Sequence, residues 1–146
     1  MSTKEKGEEI ANAWGPALTK AMLEGDMTPF KELCVKGEPV DMVLQGSDGV
    51  EIETSIGDSG ADLTWEKFQE LCSKDLEAQN FQKIEAQCLG VLGDRMILET
   101  GRFNKAGEVY MESYAIVTIN SDGKVVMFEA FVDPQMASLT AEVSKK

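Results

Sequence analysis

The chain has no histidine at all. That absence removes imidazole-based metal sites, the Ser-His and Cys-His nucleophile pairs, and a histidine general base. Acid–base chemistry is then left to Asp, Glu, Tyr, Lys or an activated water. Basic residues are also scarce: 14 Lys and Arg stand against 26 Asp and Glu, a net charge of −12. Nucleic-acid binding needs clustered cations on the phosphates, so no nucleic-acid partner is expected. There are three cysteines, Cys34, Cys72 and Cys88, with no CxxC spacing. An odd, scattered set predicts neither a disulfide framework nor a metal site, but buried free thiols in a reducing compartment. No run approaches the 18 apolar residues of a membrane span, and MSTKEKGEEI lacks the apolar stretch of a signal peptide. A cytoplasmic protein with no membrane partner is the expectation.

What remains is ordinary globular material, 146 residues with 42% hydrophobic and 27% charged side chains, which predicts a single domain. Residues 1–7 and 139–146 read as loose tails. From Glu8 to Glu24, Ile10, Trp14, Leu18, Ala21 and Met22 recur on one helical face, and Gly25 is a natural stop. In "TPFKELC", Thr28 reads as an N-cap and Pro29 as the first residue of a short second helix. "VDMVLQ" (40–45) is β-favouring. The acidic, glycine-rich stretch 46–62 reads as an exposed excursion, with room for a small hairpin at 50–54 or for a lid. A third helix opens near Thr64, with Trp65, Phe68, Leu71, Cys72 and Leu76 at helical spacing. After residue 80 the period changes to two, and strands are predicted at 81–91, 95–103, 108–119 and 124–132, joined by short turns such as Asp122-Gly123. This order predicts an α+β domain with a curved antiparallel sheet wrapped around N-terminal helices.

The element order and the ending "INSDGKVVMFEAFVDPQ" (119–135) resemble the cone-shaped family related to nuclear transport factor 2. That family includes the SnoaL-like polyketide cyclases, the ketosteroid isomerases and the limonene epoxide hydrolases. The resemblance implies a cone-shaped, barrel-like sheet around a pocket, cofactor-free chemistry and a homodimer built on the outer sheet face. It also implies a terminal Asp facing the pocket, here Asp133. Alternation would then send Met127, Glu129 and Phe131 inward with it, leaving Val126, Phe128, Ala130 and Val132 for the dimer. On the neighbouring strand "RMILETGRFN", the pocket positions become Thr100 and Arg102. The epoxide hydrolase pattern has an Asp–Arg–Asp relay, so that machinery is incomplete here. The isomerase base also has no matching Asp, because Gln45, Gly46 or Ser47 stands near its place. Gln45 and Val43 fall at the amide and phenol positions of the epoxide hydrolase pocket.

The candidate catalytic residues are therefore Asp133, Arg102 and Glu129. Arg102 and Asp133 form either a bracing salt bridge or a base with its electrostatic partner. Glu129 is either a buried general acid or an exposed edge residue. Candidate ligand-binding residues are Trp14, Val43, Gln45, Thr100, Met111, Met127 and Phe131. Eight methionines suit an adaptable lining for an apolar or aromatic ligand as well as plain core filling. Tyr110, Glu112 and Tyr114 share one strand face and read as interface or rim residues. No metal or cofactor is expected. Three readings stay open: a cofactor-free isomerase, cyclase or hydratase; a non-catalytic dimeric binding or interaction module; and a degenerate epoxide hydrolase.

Overall fold

The computed structural model describes residues 3–46, 49, 51–74 and 76–132. Three helices precede or interrupt a six-stranded sheet: α1 (Thr3–Glu24), α2 (Thr28–Leu33), β1 (Val40–Gly46), β2 (Glu51–Ile56), α3 (Trp65–Cys72), β3 (Phe81–Leu92), β4 (Arg95–Asn104), β5 (Val109–Ile119) and β6 (Val125–Val132). The strand order is β2-β1-β6-β5-β4-β3. The fold is α+β, with a curved sheet that stays open rather than closing into a barrel. The sheet is not wholly antiparallel. β1 runs parallel to β6, Met42 opposite Phe128, with β2, α3 and the β3–β5 meander between them in the chain.

Local chemistry accounts for most element ends. Gly25 takes φ +70° and its N–H returns to the Ala21 carbonyl, which stops α1. Thr64 caps α3 by accepting a hydrogen bond from the Lys67 N–H at 3.1 Å. Asn120 accepts from the N–H groups of Asp122 and Lys124, and Gly123 at φ +76° completes the β5–β6 turn. α2 differs from the expectation by one residue. Met27 is its N-cap, Thr28 is already helical, and the side chain that serves the helix start is Asp26, which accepts from the Thr28 N–H at 3.0 Å. That bond, made to the charged carboxylate, lowers the Asp26 pKa.

α1 also starts earlier than predicted, at Thr3, so residues 3–7 are no loose tail. Gly7 is buried where any side chain would meet Val91 and Cys88. The stretch read as an excursion contains a full edge strand. β2 pairs with β1 from Val40–Ile56 to Gln45–Glu51, burying Thr54 and Ile56. α3 ends at Cys72, and Leu76 packs on the core from the turn that follows rather than from the helix.

The core lies between the helices and the concave face of the sheet. At its centre Trp14, Phe30, Phe68 and Phe128 meet edge-on or tilted, with centroids 5.0–6.1 Å apart in the contacting pairs. α1 crosses the sheet closest at Gly15 and covers the open edge of β3. There the Thr19 hydroxyl accepts from the Ile84 N–H at 2.9 Å and donates to the Gly15 carbonyl at 2.7 Å. An otherwise unpaired strand edge is thereby satisfied by a helix side chain.

The β6 faces are the reverse of the expectation. Phe128 is buried at the heart of the core, with Ala130 beside it on the concave face. Met127 and Glu129 lie on the convex side, where Glu129 meets Arg95 at 3.6 Å. The sequence could not settle this, because nearly every position from 125 to 132 is apolar. The structure does so with a bulge: Thr118 pairs with Met127 and Ile119 with Val125, so Val126 is the extra residue and the phase slips. Phe128, expected on an outer dimer face, belongs instead to the core. The convex face instead shows Ile97, 44% exposed and paired with Ile116 across β4 and β5.

Candidate functional site

A cavity of about 100 Å³ lies between the helices and the concave face. Its floor is aromatic and aliphatic: Trp14, Phe30 and Phe68 from the helices, Met42, Leu44 and Phe128 from the sheet. One side is polar. β4 contributes Thr100 and Arg102, β5 contributes Met111 and Ser113, and α3 contributes Cys72. Tyr114 and Phe131, 47% and 43% exposed, stand at the rim. Period two on β4 places Thr100 and Arg102 together on the concave face, continuing the row of buried Met96 and Leu98.

Hydrogen bonding separates these polar groups. The Thr100 hydroxyl donates to the Ser113 carbonyl at 3.3 Å, and the Ser113 hydroxyl donates to the Phe131 carbonyl at 2.6 Å. Both donors are spent within the sheet. Half-buried Arg102 has no hydrogen bond or ion pair among the described residues, and it is the only cation among those lining the cavity. Cys72 is buried beside it. Burial pushes the Cys72 thiol up to about 11, against the opposing pull of the Arg102 guanidinium, so it stays protonated at neutral pH. Cys34 is likewise buried and pushed up to about 12.

Of the residues singled out in the sequence, Trp14, Thr100, Arg102, Met111 and Phe131 line this cavity. Val43, Gln45, Met127 and Glu129 do not. Val43 and Gln45 alternate with Met42 and Leu44 and so face away from the cavity, and Val43 pairs across the sheet with Glu129. Glu129, on an interior strand and 23% exposed, forms an ion pair with the exposed Arg95, which fits neither the unpaired buried acid nor the exposed edge residue of the sequence reading. Asp133 lies outside the described residues, and so does its pairing with Arg102. Sequence reasoning missed Ser113 and Cys72 as cavity residues, while Tyr114 reads from the sequence as an interface or rim residue. Cys72 was legible as a core position on α3. Ser113 could be found only by knowing which β5 face is concave.

Comparison with solved structures settles the architecture. A designed NTF2-fold protein superposes with a TM-score of 0.59 at 14% identity, over 100% of this chain and 98% of that one. The chain has the NTF2-like fold. A SnoaL-like family protein from Agrobacterium tumefaciens, whose isomerase activity is a provisional assignment, gives 0.59 at 10% identity, over 88% of this chain and 98% of that one. A protein from Silicibacter pomeroyi with a cystatin-like fold gives 0.50 at 11% identity, over 98% and 84%. At such identities the NTF2-like likeness carries the architecture and not the chemistry. No family model and no curated protein matches the chain. Among the described residues, no helix is long and apolar enough to cross a membrane.

Proposed function

We propose that this NTF2-like chain binds a small, mostly apolar molecule in the cavity between its helices and its sheet. The observation that carries this reading is the cavity itself: aromatic and aliphatic walls converging on a few polar groups along one side. Among the described residues lining it there is no carboxylate and no lysine, and the Cys72 thiol is protonated at neutral pH. A proton-transfer enzyme needs a base at the reacting atom. Binding is the reading that the described residues support; Asp133, the candidate base, lies outside them.

Neutral apolar probes test this directly. Hexan-1-ol and benzyl alcohol are expected to raise the melting temperature of the wild-type chain, since ligand at a hundred times its Kd adds about 2.7 kcal/mol. Ala130→Phe, which places a ring in the cavity, is expected to abolish the shift while the circular dichroism spectrum stays native. An unshifted wild type, or a variant that responds equally, sinks the proposal.

The same reading includes a homodimer through the convex face, using Ile97 and Ile116 in place of the residues first expected. Ile97 pairs with Ile116, so an apolar row crosses two strands on a chain whose surface is otherwise strongly acidic. Sedimentation of the wild type is expected to give twice the chain mass, and Ile97→Lys to give the monomer. A monomeric wild type removes the dimer and leaves the cavity reading intact.

A further inference from the structure

We infer that the molecule bound in the cavity carries a single carboxylate, held by Arg102, on a short-chain or single-ring apolar body. This rests on the small-molecule reading above and adds the ligand's charge and size. The argument begins with cost. A guanidinium half-buried beside Met111, Ile84 and Cys72 has lost much of its hydration, and desolvated charge is unfavourable unless paired. Among the described residues, seven ion pairs join cations and acids away from the cavity: Lys6 with Glu9, Lys20 with Asp26, Lys31 with Asp58, Lys36 with Glu32, Lys67 with Glu70, Lys83 with Glu85 and Arg95 with Glu129. Arg102 has no such partner among the described residues, although the chain carries 26 acids.

The type of anion follows from what surrounds it. Arg presents parallel N–H donors that match a planar carboxylate in a bidentate fork. A phosphate or other dianion would need more donors than one guanidinium, and the Thr100 and Ser113 protons are already committed to backbone carbonyls. The net charge of −12 further disfavours a second negative charge. Size follows from the volume. The cavity of about 100 Å³ is smaller than the roughly 150 Å³ apolar cavity that holds benzene. A short acyl chain fits inside it, a single ring fits only with part of the molecule outside the cavity, and a polycyclic body does not.

Titration calorimetry at neutral pH with hexanoate against hexanamide, and benzoate against benzamide, tests the inference on the full chain. Each amide keeps the shape of its acid and removes the charge. The wild type is expected to prefer at least one acid about tenfold or more. Arg102→Met, which keeps the length and apolar stem, is expected to bind the amide as before and lose the preference, while Arg102→Lys keeps part of it. Equal binding of acid and amide by the wild type overturns the inference and leaves the cavity reading standing. A preference that survives in Arg102→Met overturns it as well. Failure of the amides together with the acids removes the small-molecule reading, and the carboxylate with it. The wild-type ratio needs no variant, so the test holds even if Arg102→Met fails to fold.

Discussion

Replacing Phe128 by alanine is expected to cost about 3–5 kcal/mol of stability, a large share of the roughly 5–15 kcal/mol that holds a domain of this kind together. The ring is 3% exposed and contacts Trp14, Phe30 and Phe68 at 5.5, 6.1 and 6.1 Å between centroids. It is the one aromatic residue of the sheet in that cluster, so its loss leaves a void bounded by three helices and the sheet. Neither side can collapse into the void without moving the other. Phe131→Ala, three residues along the same strand, is expected to change stability by less than about 1 kcal/mol, because that ring is already 43% exposed. Urea denaturation of the two variants decides between the observed faces of β6 and the opposite assignment. Equal costs would refute the arrangement described.

The second large effect concerns a residue without a side chain. Gly15→Ala is expected to destabilise the protein by about 1–3 kcal/mol, seen as a melting temperature lower by roughly 3–10 °C. A Cβ at this position would stand 2.5 Å from the Ile84 carbonyl oxygen and 3.1 Å from the Glu85 Cα. Both are backbone atoms of β3 and cannot rotate away. The helix must therefore lift, and the Thr19 bond to the Ile84 N–H stretches with it. Elsewhere in a helix, Gly→Ala stabilises by about 1 kcal/mol through helix propensity. The sign at Gly15 is thus a direct measure of the close approach between α1 and the sheet. A variant more stable than wild type would refute that contact.

These two positions also show where sequence reasoning stops. The helical face of Ile10, Trp14 and Ala21, the Thr64 cap and the Asp122-Gly123 turn were legible, because each is set by spacing or local hydrogen bonding within a few residues. The NTF2-like fold itself was legible from element order. Thr100 and Arg102, expected at pocket positions from the family resemblance, line the cavity, although the in–out alternation of β4 is distinct only from Arg95 to Glu99. On β6 the alternation carries no information: Val125 through Phe128 are all apolar, and the one-residue slip at Val126 is a property of the pairing with β5. Val43 and Gln45 failed for the related reason that β1 is nearly apolar throughout and both its faces are largely covered.

The amino-acid sequence by itself excluded histidine chemistry, fixed the acidic surface, and determined which segments are helix or strand, because these depend on composition and on contacts near in the chain. It determined neither the inner face of β6, nor the parallel junction of β1 with β6, nor the absence of an ion-pair partner for Arg102 among the described residues. Those depend on which residues distant in the chain are brought together. Only the packed structure decides that, through a bulge that shifts the phase of one strand and a glycine that lets one helix come close enough to enclose the space.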